Sequence, residues 1–141
     1  MPGSFARTIK QLDLFVRQSI RLNTPSANGP SLRKTLEEGR KFQKAKGKSD
    51  EELALLFAEL EPVVLEPGTD YLVGVFEELS DTRNRTDSGP LAITHVEMKA
   101  YSELTGTELD PWEVDALRIM DAAFLHEAYE MQAKRNKSPT T

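Results

Sequence analysis

Asp110-Pro111-Trp112-Glu113-Val114-Asp115-Ala116-Leu117-Arg118-Ile119-Met120-Asp121-Ala122-Ala123-Phe124-Leu125 is the stretch that decides the fold. Asp110 can accept from free backbone N–H groups, Pro111 suits the first helical position, and Glu113 adds negative charge to the first turn. Beyond this opening, Leu117, Met120, Phe124, Ala128 and Met131 recur at spacings of three and four, with Val114 and Leu125 beside them. That period paints one apolar stripe along a helix. Asp121 lies next to the stripe, where a lone carboxylate costs free energy unless it is hydrogen-bonded. A helix start, or a tyrosine such as Tyr101, would supply the bond.

Upstream of this helix the punctuation repeats. Thr94 and Glu97 form a capping box, and Gly106 sits where a helix C′ glycine belongs. Tyr71, Leu72, Val75, Phe76 and Leu79 share one side of a helix capped by Thr69 or Asp70 and ending near Ser80. A polar loop rich in breakers follows, from Asp81 to Pro90. Ser49 and Glu52 form another capping box, for a helix reaching about Leu60. Pro62 and Pro67 bracket an extended linker. At the start of the chain Phe5, Ile9, Leu12, Val16 and Ile20 keep helical spacing, with Ser4 as N-cap. After the turn signals of Thr24 to Pro30, Ser31 begins a poorer helix whose apolar positions are sparse: Leu32, Leu36 and Phe42. Its end, from Lys41 to Lys48, is expected to be solvated. No strand with alternating character is visible.

The reading is therefore all-α: a small bundle of about five helices with a mobile basic N-terminal arm. Residues 1–48 form the arm, partly mobile, residues 49–135 an acidic helical core domain, and residues 136–141 a disordered tail. The charge distribution underlies that division. Residues 1–48 carry eleven Lys/Arg against three acids, and residues 49–130 carry four against twenty, a net of +8 against −16. Such an arm would dock on its own body, on a neighbouring copy or on an acidic partner.

Composition excludes several classes. With 141 residues the chain is one domain of ordinary size. Cysteine is absent, which removes disulfides and thiolate metal sites. The longest apolar stretch, Leu53 to Ala58, is far short of the ~20 residues that span a bilayer, so no membrane role is expected.

The residues that could carry chemistry are few. His95 and His126 are 31 positions apart, and neither belongs to a Glu-x-x-His or His-Glu-x-x-His pattern. Acids abound, but none is singled out as a catalytic pair. No glycine run forms a phosphate-binding loop. No cofactor and no catalytic or metal site is expected, and an enzyme is the class the residues support least. Arg33, Lys34, Arg40, Lys41 and Lys44 are the densest cations of the arm and raise nucleic-acid binding. Phe42 is the sole aromatic among them, so a stacking platform is weak, and the acidic body would repel a duplex. The large side chains Tyr71, Phe76, Tyr101 and Trp112 remain as candidates for an exposed, partner-binding patch.

A resemblance joins these residues. Gly68 to Leu72, Val75 to Leu79, Gly89 to Thr94, Ala100 to Gly106, and Leu109 to Arg118 with Met120 to Leu125 follow an order similar to that of small proteins of tailed-phage and prophage tail operons. Those proteins are known as tail assembly chaperones and are encoded near the tape-measure gene. Tyr101, Thr105, Gly106, Pro111, Trp112, Glu113, Leu117 and Asp121 match the pattern; Ser31-Leu32-Arg33 to Leu36 matches it more loosely. The resemblance covers somewhat less than half the chain. It implies a non-enzymatic assembly factor in the cytoplasm of the bacterial host, covering apolar faces of a tape-measure or tail-tube protein by helix-in-groove recognition. Two other roles stay open: a tail-completion or connector component retained in the virion tail, and a nucleic-acid-binding or regulatory protein using the basic arm. A homo-oligomer is compatible with each.

Overall fold

The stripe of Leu117, Met120 and Ala123 forms the spine of the molecule, on a helix running from Pro111 to Lys137. The structure is a computed structural model and describes residues 5–26 and 29–137. The N-cap expected at Ser4, residues 27 and 28 of the first turn, and residues 138–141 of the expected tail lie outside the described residues.

In chain order the elements are α1 (Phe5–Asn23), β1 (Pro25–Ser26), β2 (Gly29–Ser31), α2 (Leu32–Ala45), α3 (Asp50–Leu56), a 3-10 turn (Ala58–Leu60), α4 (Tyr71–Asp81), β3 (Arg85–Thr86), β4 (Gly89–Pro90), α5 (His95–Thr105) and α6 (Pro111–Lys137). The fold is mostly helical, as expected, with six α-helices among the described residues instead of about five. The sequence also hides two minimal antiparallel hairpins, β1 with β2 and β3 with β4. Strands of two or three residues are too short to show alternation.

The larger correction concerns the N-terminal segment. α1 is not an arm: it runs along α6 as the most extensive pairing of elements in the fold. Leu12 and Val16 belong to the same apolar cluster as Leu72, Phe76, Leu117 and Met120. Summing charge over residues 1–48 blurred two helices with different fates. The basic groups of α1 lie around its stripe and do not prevent burial of Leu12 and Leu22, both at 0% exposure. α2, by contrast, buries none of its residues. Full burial of one leucine contributes roughly 1.5–3 kcal/mol, so α1 supplies a sizeable part of the core.

Local chemistry sets the element ends. At α5, Thr94 Oγ1 accepts from Glu97 N at 3.1 Å while the Glu97 carboxylate accepts from Thr94 N at 3.2 Å. Gly106 ends that helix with φ 72°, in the left-handed region. At α3, Ser49 Oγ accepts from Glu52 N at 3.2 Å. At α6, Glu113 accepts from the backbone N–H of Asp110 at 2.7 Å. The cap expected for α4 is absent: Asp70 is itself helical and makes no side-chain cap bond, and Thr69 donates to Glu66 O. Helix α3 stops at Leu56 and passes into the 3-10 turn, ahead of Pro62. At the other end of the chain α6 includes residues 136 and 137 of the expected tail.

Candidate functional site

α1 and α4 both pack on α6, and between them they leave an open groove of about 400 Å³. Phe15, Val16, Ser19 and Ile20 of α1 form one wall, Val73, Phe76, Glu77 and Ser80 of α4 the other, and Phe124 of α6 lies at its base. The volume falls in the range of small ligand pockets or side-chain-accepting clefts. Phe15, Ile20, Val73 and Phe124 are all half-buried, so their outer faces are offered to whatever enters. Glu77 and Asp81 stand on the rim, both exposed. Among the described residues neither carboxylate has an ion-pair partner.

The floor of the groove is held by a buried polar network. Arg83, expected only as part of a polar loop, turns inward with 7% exposure and pairs with Asp121 at 2.6 Å. Its guanidinium also donates to Leu91 O at 2.9 Å and to Ser80 Oγ at 3.1 Å. The second Asp121 oxygen accepts from Ile93 N at 2.9 Å. The guanidinium carbon then lies 4.2 Å from the centroid of Phe124 and 5.9 Å from that of Phe76. The two rings meet edge to face at 6.2 Å, a favoured aromatic geometry. One ion pair thus orders the β3–β4 hairpin, the approach to α5 and the aromatic base of the groove. The partner expected for Asp121 was a helix start or Tyr101. The Ile93 N–H lies just ahead of α5, but Arg83 supplies the charge, and Tyr101 donates to Glu78 at 2.6 Å instead.

The aromatic residues singled out from the sequence do not converge. Phe76 is buried, at 6% exposure, in the wall of the groove. Tyr71 starts α4 and donates to the buried carboxylate of Glu113, tying α4 to the opening of α6. Desolvation, then that bond, push the Tyr71 hydroxyl well above its ordinary range. Tyr101 is raised by its bond to Glu78, with burial second. Trp112 is half-buried against the core. The sequence reading missed Phe15, Ile20 as a groove residue, and Val73. The available signal was a second apolar strip on α1, with Leu14 and Phe15 beside the main stripe.

The basic residues separate as well. Arg17 and Arg21 of α1 dock on the chain's own acids: Arg17 on Asp13 at 3.0 Å and on Glu127 at 3.4 Å, Arg21 on Glu59 at 3.1 Å and on Glu127 at 3.6 Å. Those contacts neutralise Glu127, which is 8% exposed. The Asp13 hydrogen bond is also the main cause of a raised Arg17 pKa. Arg33 donates to Asn23 at 2.7 Å, and the backbone N–H of Lys34 donates to Ser31 Oγ, the cap of α2. Arg40, Lys41 and Lys44 line a second cleft, of about 480 Å³, over Leu53, Phe57 and Leu60. None of those three has an ion-pair partner among the described residues.

Among the described residues no group of three His, Asp or Glu side chains could hold a metal ion, and no helix is long and apolar enough to cross a membrane. Comparison with curated proteins and with solved structures gives no match. A family model described as phage tail assembly chaperone matches residues 42–126, from the end of α2 into α6. The match starts well before Gly68, where the resemblance in the sequence begins, and spans α3, α4, α5 and the Arg83–Asp121 pair. α1, one wall of the groove, precedes it. With more than half of its length matched, the chain belongs to the phage tail assembly chaperone family.

Proposed function

We propose that the protein is a non-enzymatic tail assembly chaperone that holds helical segments of the tape-measure protein, or of the tail-tube protein, in the groove between α1 and α4. It would act in the bacterial cytoplasm while the tail is built. Family membership supports the tail-assembly role, and the observation that carries the rest is the groove itself. Its apolar base is pre-ordered by Arg83 and Asp121, which lowers the entropy lost on binding. The acidic rim of Glu77 and Asp81 suits a segment whose apolar anchors are flanked by Lys or Arg. Large aromatic side chains with a polar handle, such as Tyr71 and Trp112, would extend the contact beyond the groove.

The test is co-expression with the tape-measure and tail-tube proteins encoded beside it, followed by pull-down and a solubility assay. Wild-type protein should retain and solubilise a tape-measure fragment. Val73→Glu, at a half-buried position in the groove wall, should abolish retention while leaving helical content by circular dichroism unchanged. Retention by Val73→Glu at the wild-type level would sink the groove assignment. No retention by wild type, with the protein itself found in purified particles, would favour a structural tail component.

A further inference from the structure

The cleft of about 480 Å³ beside α2 differs in character from the α1–α4 groove. Arg40, Lys41 and Lys44 stand one helical turn or less apart and form one of its walls. All three are exposed, and none has an ion-pair partner among the described residues. The facing wall comes from α3 and the 3-10 turn: Leu53, Ala54, Phe57 and Leu60, then Pro62. Leu53 and Leu60 are buried and Phe57 half-buried, whereas Ala54 and Pro62 are exposed. Two features hold this wall in place. A Cβ at Gly39 would lie 3.3 Å from the Phe57 ring, so α2 approaches that ring about as closely as a glycine allows. Glycine within a helix is otherwise destabilising relative to alanine. Gln18 of α1 donates to Glu59 O at 3.1 Å and also to Glu61 O, and Arg21 pairs with Glu59 at 3.1 Å. The 3-10 turn is thereby tied to a core helix.

We propose that this cleft is a docking site for an acidic amphipathic helix of another protein. The apolar stripe of that helix lies on Ala54, Phe57 and Pro62, and carboxylates along one flank of the stripe meet Arg40, Lys41 and Lys44. Charge complementarity selects this occupant, since three unneutralised cations on one helix match acids at helical spacing. Nucleic acid fits less well. Phe42, the exposed aromatic of α2, does not line the cleft and has Lys46 over its ring at 4.7 Å, so bases find no stacking platform inside. Asp50 and Glu61, which also line the cleft, repel a backbone charged along its whole length. A peptide can leave the positions opposite them uncharged. The α1–α4 groove, with Glu77 and Asp81 at its rim, favours ligands of the opposite charge. The assignment of the cleft does not rest on the tail-protein reading of that groove, and its test uses no tail protein.

The experiment is fluorescence anisotropy of the full-length protein with a labelled synthetic helical peptide. The peptide carries leucines at i, i+3, i+4 and i+7 and glutamates along one flank of them. The same peptide with lysine for every glutamate and a labelled uridine oligonucleotide are measured beside it. The acidic peptide should bind about tenfold or more tighter than either. Lys41→Glu with Lys44→Glu, and separately Ala54→Gln, should each weaken it about tenfold. All three positions are exposed, and circular dichroism should show both variants folded. Lys10→Glu with Lys99→Glu, an equal change of net charge at exposed positions elsewhere, should leave the affinity unchanged. In NMR spectra the peptide should shift the amide signals of residues 40–44 and 53–61. No binding of the acidic peptide, equal binding of both peptides, or an equal loss in the Lys10 and Lys99 variant would overturn the proposal. Tighter binding of the oligonucleotide would assign the cations to nucleic acid instead. The same amide shifts on raising the protein concentration alone would give the cleft to a second copy, and the proposal would fall.

Discussion

Asp121 is the residue on which most depends, because its carboxylate serves three elements at once. It pairs with Arg83, accepts from Ile93 N, and through Arg83 fixes the ring of Phe124. Removing one partner of a buried pair leaves the other charge desolvated and uncompensated, a cost of about 3–5 kcal/mol. Asp121→Ala should lose that much in urea unfolding, whereas Arg83→Met combined with Asp121→Leu should lose less. A loss below about 1 kcal/mol for the single change would mean that the pair is solvated in solution. Tyr71 gives a different signature. Its hydroxyl pKa is raised in the folded state by desolvation and by Glu113, so above the ordinary tyrosine range of about 10 the unfolded chain releases a proton that the folded chain keeps. Stability from this group is thus complete below pH 10 and declines as the pH climbs further. Tyr71→Phe should flatten the alkaline fall of urea-unfolding stability above about pH 10. An unchanged slope would show that the Glu113 bond does not persist.

At the level of elements, two glycines separate backbone demand from packing demand. Gly106 ends α5 at φ 72° with open space around a would-be Cβ. Its replacement by alanine costs only the left-handed conformation, roughly 1–2 kcal/mol. Gly89 has φ 124° in the β3–β4 hairpin, and a Cβ there would lie 3.0 Å from both the Tyr129 ring and the Gln132 side chain. Tyr129 also donates to Pro90 O at 2.5 Å, so it cannot retreat without losing that bond. Gly89→Ala should therefore lower the melting temperature more than Gly106→Ala does, and the reverse order would show that the hairpin is loosely held on α6. The punctuation of α5 was legible in advance because capping is a local interaction: Thr94, Glu97 and Gly106 each act within a turn of their own helix. The β3–β4 hairpin was not legible, because its two-residue strands are held by α6, more than thirty positions away in sequence.

For the molecule as a whole, the decisive pairing is α1 with α6, which joins the two ends of the chain. Leu12, Val16 and Leu22 are buried against or beside the common core, and their loss would remove several kcal/mol from a stability of only about 5–15 kcal/mol. Deletion of residues 1–23 should therefore abolish the cooperative thermal transition seen by circular dichroism, instead of trimming a dispensable arm. A truncated protein that still melts cooperatively near the wild-type temperature would contradict this. The same pairing builds the groove, since its α1 wall lies outside the 42–126 segment matched by the family model. Charge also divides at this scale. Arg17 and Arg21 of α1 are spent on Asp13, Glu59 and Glu127 within the fold, and Arg40, Lys41 and Lys44 of α2 remain available to a partner.

By itself the sequence determined the mostly helical class, most helix starts and stops, the stripe of α6 and the buried character of Asp121. All of these follow from period and capping, which act over a few residues. Its order from Gly68 to Leu125 also carried the family resemblance. Only the tertiary structure decided that α1 is a core helix, that Arg83 is the ion-pair partner of Asp121, and that Phe15, Ile20, Val73 and Phe124 line one groove. Periodicity states which face of a helix is apolar but not which other helix covers it. That choice is made by the packing of faces distant in sequence, where close-packed side chains leave few arrangements without voids.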